Sequence, residues 1–294
     1  MRLEEDMRFS LRQRETFIGV DGDLTDAKYF IFGVPYDLTS SFRPGSRYGP
    51  EAVRKFSANI ESNSYRVAYD AAAAKIFDGG DIVFSYKLST MLKRVFRVVK
   101  NVSQSGKIPV MVGGEHTFTY AAFLAVSQKA SALIVIDAHF DLRDEYCGLR
   151  LNHATYLRRL VEKKLDKKVV VLGVRAYDFS EMKFAQEKNI IFIRSSELKD
   201  VSRTIRILKE VTDNRPFYVS VDLDVLDPCY APGVGNPEPG GITPEQLFDL
   251  IHFFGKHGPL AFDLMEVNPL YDNGSTVAVA SKLLIEFLAS TAES

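Results

Sequence analysis

Cysteine is scarce in this chain of 294 residues. Only Cys147 and Cys229 are present, with no C-x-x-C spacing. That excludes a disulfide framework and a thiolate zinc site, and it fits a reducing cytoplasmic setting. Long apolar runs are also missing. The longest, such as 132–136 and 169–172, fall far short of the roughly 20 residues that a bilayer-spanning helix needs. The segment 1–14 mixes charges of both signs and has no apolar signal-peptide core, so it reads as a solvated extension. Net charge is nearly absent too. At -1, the balance favours neither nucleic acid nor an anionic membrane as a partner. No repeat, low-complexity tract or Pro/Ser-rich linker divides the chain, and 1–294 reads as one domain.

What is present is an alternation. Short β-branched runs at 29–34, 108–112, 132–137, 168–172, 190–193, 217–221 and 259–264 are apolar nearly throughout, as strands buried on both faces are. Between them lie helical patterns. Leu88, Met91, Leu92, Val95, Val99 and Val102 recur at steps of three and four, and Gly106 supplies a stop. Thr243 precedes Pro244, a capping residue followed by a proline at the first helical position. Strand-then-helix alternation predicts an α/β fold of three layers, α/β/α, around a mainly parallel central sheet. Ligands of such sheets bind beyond the carboxyl ends of the strands.

Four of the predicted strands end in polar residues of one chemical kind. The run 108–112 leads into Gly113-Gly114-Glu115-His116, and 132–136 into Asp137-Ala138-His139-Phe140-Asp141. The run 217–221 leads into Asp222-Leu223-Asp224, and 259–264 into Met265-Glu266-Val267-Asn268-Pro269. On an extended chain, side chains at i, i+2 and i+4 share a face, which aligns Asp137 with His139 and Asp141, and Asp222 with Asp224. Carboxylates packed so closely raise one another's pKa unless cations compensate them. Asp137, Asp141, Asp222 and Asp224 sum to roughly -4, which two divalent ions would neutralise. An isolated Asp-x-Asp at a strand end is usually a turn or a cap. Four converging strand ends, with His116 and His139 among them, favour a metal site. Four carboxylates and two imidazoles form a hard, oxygen-rich set suited to two Mn2+ per subunit, although affinity alone would favour zinc.

These motifs resemble the ureohydrolases, the family of arginase and agmatinase. Gly113 to His116 resembles the first family motif, and Asp137 to Asp141 matches the Asp-Ala-His-x-Asp motif in full. The stretch from Ser220-Val221-Asp222-Leu223-Asp224 through Asp227-Pro228, Ala231-Pro232-Gly233 and Pro239-Gly240-Gly241 matches the third, and Met265 to Pro269 the last. Gly33-Val34-Pro35-Tyr36-Asp37, Arg43-Pro44-Gly45, Gly49-Pro50 and Asp78-Gly79-Gly80-Asp81 extend the likeness over nearly the whole chain. The resemblance implies an arginase-like fold. It implies one metal held by His116, Asp137, Asp141 and Asp222, and another by His139, Asp137, Asp222 and Asp224. It makes Glu266 the carboxylate that binds the guanidinium and His153 the proton shuttle. It also implies a homo-oligomer, trimer or hexamer, acting on a small guanidino molecule. His252 and His257 match no motif and read as surface or helix-end residues.

The stretch Tyr146-Cys147-Gly148-Leu149-Arg150-Leu151-Asn152-His153 lacks the Ser-Gly-Asn-x-His-Gly pattern of arginases. It is similar to the agmatinase form, with Arg158-Arg159 supplying that form's arginine pair. The reaction so implied is hydrolysis of agmatine to putrescine and urea, a carbon–nitrogen bond cleavage in a linear amidine that belongs to polyamine synthesis. Asn152, Ala154, Asn236 and Thr117 depart from the family pattern near the expected pocket, which keeps guanidinobutyrate and arginine as alternative substrates. A single-zinc deacetylase on the same fold would need fewer carboxylates than this chain carries. A non-catalytic oligomeric relative would have no use for the intact ligand set and His153.

Overall fold

Strands composed almost wholly of Val, Ile, Leu and Phe have no face that water can cover, so they need helices on both sides. The computed structural model, which describes residues 11–12, 15–20 and 22–291, meets that need. In chain order the strands are β1 (Leu11–Arg12), β2 (Tyr29–Val34), β3 (Asn63–Ser64), β4 (Tyr69–Asp70), β5 (Ile76–Ile82), β6 (Ile108–Gly113), β7 (Ala132–Ile136), β8 (Lys168–Val174), β9 (Ile191–Arg194), β10 (Phe217–Asp222) and β11 (Ala261–Met265). Nine of them form one sheet in the order β1-β5-β2-β6-β11-β10-β7-β8-β9, while β3 and β4 pair separately. Every pairing in the large sheet is parallel except that of β1 with β5. The expected three-layer α/β/α architecture is therefore present. Of the stretch 1–14, expected to be a solvated extension, only Leu11–Arg12 lies among the described residues as an element, and its backbone pairs with Ile82 and Asp81.

Alternation along the strands divides the core in two. In β2, Phe30 and Phe32 face one side, where Met91, Val95, Phe118 and Leu157 cover them. Ile31 faces the other, with Val53, Leu250 and Leu284. The helices Leu88–Gln104, Thr119–Val126, Tyr156–Glu162 and Phe179–Glu187 thus form one outer layer, and Gly49–Ser57, Val201–Thr212, Pro244–Lys256 and Ser275–Ser290 form the other. The chain winds outward from β7 to β8 and β9 with its helices on one face. It then returns through β10 and β11 with its helices on the opposite face, as right-handed crossovers require. The return inserts β10 and β11 between β6 and β7, so the four strands with polar ends become neighbours at the sheet centre.

Local signals are met closely. Val95, Val99 and Val102 are buried on the first of those helices, and Gly106 adopts φ +81° after it. Thr243 and Gln246 cap each other's backbone reciprocally. His252 sits on the same helix, with Nδ1 3.2 Å from Ser290 Oγ, and His257 is its C-cap. No strand is predicted at 76–82, where β5 runs through Asp78-Gly79-Gly80-Asp81. It forms because Arg54, at 0% exposure, neutralises it. The guanidinium donates to Asp78 (2.9 and 3.2 Å), to Asp81 and to the Gly80 carbonyl (2.9 Å). No helix among the described residues is long and apolar enough to cross a membrane.

Candidate metal centre

Beyond β7 and β10 the chain does not continue extended, so the even-spacing argument for a shared face is corrected here. Asp222 is the last residue of β10, and Leu223–Val225 closes a 3-10 turn in which Asp222 Oδ1 accepts the Asp224 N–H (2.8 Å). After β7, Asp137 Oδ1 accepts the His139 N–H (2.7 Å), and Asp141 adopts φ +53°. Glu266 adopts φ +62° just after β11. Left-handed backbone at two non-glycine residues is strained, and it persists where tight local structure over-determines it. These turns swing the side chains together. Gly114 permits the close approach of the β6 loop, since a Cβ there would lie 2.0 Å from the Tyr36 carbonyl oxygen.

Two groups of side chains result, each with its ligating atoms within 4.8 Å of one another. One is His116, Asp137 and Asp222, and the other is Asp137, His139 and Asp224. Asp137 belongs to both, and Asp222 belongs to the first only. His116 Nδ1 lies 3.1 Å from Asp137 Oδ2, 3.1 Å from Asp222 Oδ2 and 3.4 Å from Asp141 Oδ2. His139 Nδ1 lies 2.8 Å from Asp224 Oδ2 and 3.5 Å from Asp137 Oδ1. The structure thus brings all six expected ligands together.

The donor chemistry fits a pair of cations. His116 Nδ1 and Asp137 Oδ2 are buried, adjacent and, among the described residues, without a hydrogen-bond partner. Such orphaned lone-pair donors are rare in native structures and ask for an ion. Burial raises the carboxyls of Asp141, Asp222 and Asp224 above the ordinary range, and neighbouring carboxylates raise them further. Burial pushes Asp137 the same way, but the imidazoles of His116 and His139 hold it low. The cluster is short of positive charge, which a pair of divalent ions would supply.

The other two expected site residues share the same pocket, a cavity of about 430 Å³. Glu266 Oε1 accepts the His116 N–H (2.8 Å). A Cβ on Gly235 would stand 3.3 Å from Glu266 Oε2, so the glycine keeps that oxygen accessible. His153 Nε2 lies 3.1 Å from Ser41 Oγ, and burial near the other imidazoles lowers its pKa to about 4. Of the four departures from the family pattern, only Ala154 and Asn236 line the pocket. Asn152 is fully buried and bonds the Tyr146 carbonyl (2.8 Å) and the Ala154 N–H (3.1 Å), shaping the loop that carries His153. The Arg158-Arg159 pair does not line the pocket either; it braces Asp144 and Glu162.

Some functional neighbours carried little signal in the sequence. Glu115 is buried, and its carboxylate accepts the Thr39 N–H (2.9 Å) and hydroxyl (2.6 Å), which docks the loop holding Ser40 and Ser41. Asp263, an acid inside an apolar strand, was the one visible clue to a buried network behind His116.

The chain is similar to several known proteins. The family model described as the arginase family matches residues 27–290. A Pyrococcus horikoshii agmatinase is 34% identical over 92% of this chain and 94% of its own length. The structure of an agmatine ureohydrolase of Thermoplasma volcanium superposes with a TM-score of 0.88 at 35% identity, covering 98% of each chain. The proclavaminate amidino hydrolase of Streptomyces clavuligerus superposes at 0.87 with 30% identity, over 96% of this chain and 98% of that one. The matched length, the shared fold and the two carboxylate–imidazole groups lead to one conclusion: the chain belongs to the arginase family, a family of binuclear-metal enzymes, and is a ureohydrolase.

Proposed function

We propose that this enzyme hydrolyses agmatine to putrescine and urea with two Mn2+ ions. His116, Asp137, Asp141 and Asp222 would hold one ion, and His139, Asp137, Asp222 and Asp224 the other. The observation that carries the reading is the sharing of Asp137 by two ligand groups, with Glu266 on the wall of the same pocket. When bound, the ions compensate the carboxylates and lower the pKa of water so that a nucleophile exists near neutral pH.

The remaining work falls to the chain's own residues. Glu266 has one oxygen committed to the His116 N–H, and the other is free to take a guanidinium N–H, fixing the planar group against the cluster. His153, half-buried beside Ser41, is placed to pass a proton to the departing amine nitrogen. Water adds to the guanidinium carbon, the bond from that carbon to the alkyl-bearing nitrogen breaks, and the nitrogen leaves as putrescine after gaining a proton. Supporting agmatine over arginine are the names of the relatives and the missing arginase loop pattern. Assembly as a trimer or hexamer and a cytoplasmic location belong to the same proposal, supported by the family likeness and by two free, exposed cysteines.

A substrate panel tests it. Urea release is measured from agmatine, arginine and guanidinobutyrate after manganese loading. Agmatine should give the highest kcat/KM. A higher value for another compound overturns the substrate, and no urea from any of them overturns the hydrolase reading.

A further inference from the structure

The reading above places one end of the substrate at the metals and leaves the other at the pocket mouth. Apart from the metal-binding candidates, His153 and Glu266, four acidic or basic residues among the described ones line the pocket: Arg143, Arg175, Glu181 and Glu238. Three of them already hold partners. Arg143 pairs with Asp178 at 2.8 Å, approaches Glu181 at 3.8 Å and lies 5.0 Å over the Tyr146 ring. Glu181 uses both oxygens on backbone N–H groups, those of Leu142 (2.9 Å) and Asp178 (3.0 Å). Arg175 donates to the carbonyls of Gly173, Asp224, Val225, Leu226 and Glu238.

Glu238 differs. Its main-chain carbonyl takes two bonds from Arg175, at 3.1 and 2.7 Å, so its backbone is anchored to the same guanidinium that grips the Asp224 turn. Its carboxylate makes no hydrogen bond or ion pair among the described residues, and the residue is half-buried at the pocket wall. An anchored backbone bearing an uncommitted carboxylate can receive a cation without first giving up a partner. Arg175, by contrast, would have to surrender carbonyls before binding an anion, and the charge of Arg143 is already paired with Asp178 and Glu181.

We infer that Glu238 receives the distal ammonium of the substrate and so selects a guanidino compound with a cationic tail over one with a carboxylate tail. The inference rests on the proposed hydrolase activity and deepens it. A carboxylate tail would meet Glu238 as a like charge and be disfavoured, which adds rejection to recognition.

The test compares kcat/KM for agmatine, butylguanidine and 4-guanidinobutyrate in the manganese-loaded wild type, Glu238→Gln and Glu238→Lys. In Glu238→Gln the ratio of agmatine to butylguanidine should fall about tenfold, through KM more than kcat. Glu238→Lys should move the preference toward 4-guanidinobutyrate. An unchanged ratio in Glu238→Gln overturns the inference, as does an equal loss on all three substrates, which would mark a merely structural residue. If the wild type releases no urea from any of the three, the hydrolase reading itself has failed. Urea release with an unchanged ratio removes only the role of Glu238.

Discussion

His116 Nε2 stands 2.8 Å from Ser220 Oγ, and the Ser220 hydroxyl donates in turn to the buried carboxylate of Asp263. Asp263 also accepts from Tyr218 (2.6 Å) and Thr119 (2.9 Å). Because Ser220 gives its proton to Asp263, its oxygen is left to accept the Nε2–H, and Nδ1 keeps a lone pair toward Asp137 and Asp222. A partner of this kind orients a metal-binding imidazole and raises its basicity. Ser220→Ala should therefore weaken the ion at the His116 group by about 10- to 100-fold. Chelator competition measures this, and an unaltered affinity would remove the network from the metal account.

His139→Ala and Asp224→Asn should each leave a folded protein with close to one tightly held ion per chain and little activity. Elemental analysis after dialysis gives the count. Normal turnover with two ions retained would contradict the assignment of the second group.

Glu266→Gln keeps the size of the side chain and removes the charge that a guanidinium would pair with. The fall in kcat/KM for agmatine should be on the order of 100-fold, with metal content preserved. Steady-state kinetics beside a metal assay decide the point, and unchanged efficiency would count against the residue.

Arg54 tests the fold rather than the site. Its guanidinium lies wholly buried between Asp78 and Asp81, so Arg54→Met strands two carboxylates in a dry strand. Breaking such a pair from one side costs about 3–5 kcal/mol. Urea denaturation should show a loss of that size, and a loss below about 1 kcal/mol would mean that water reaches the two aspartates.

Asp227 sets a pH dependence. Its carboxylate accepts the N–H groups of Cys229 (3.0 Å), Gly240 (2.8 Å) and Gly241 (3.1 Å), and these bonds lower its pKa to about 2. The folded form thus binds fewer protons than the unfolded chain. Its contribution is complete above the ordinary carboxyl value and is lost as pH falls through about 2. Denaturation curves between pH 5 and 2 should show wild type losing its advantage over Asp227→Asn toward the acid end. A constant difference across that range would refute the linkage.

Amino-acid order alone determined a great deal. The apolar runs declared buried parallel strands, and the polar residues at four strand ends declared a cluster of carboxylates and imidazoles. Thr243 with Pro244 marked a helix start, because each of these signals is local in the chain. It missed β5, whose aspartates and glycines break the apolar pattern and are neutralised only by Arg54 from another segment. It also explained the alignment of Asp222 with Asp224 by an extended strand, whereas a 3-10 turn does the work. Tertiary structure decided which four strands became neighbours, that Asp137 stands in both ligand groups, and that Asp263 lies behind His116. Contacts of that kind depend on crossovers that bring residues from distant parts of the chain into one dry space. There, burial and charge set what each side chain can do, and no spacing within a motif encodes it.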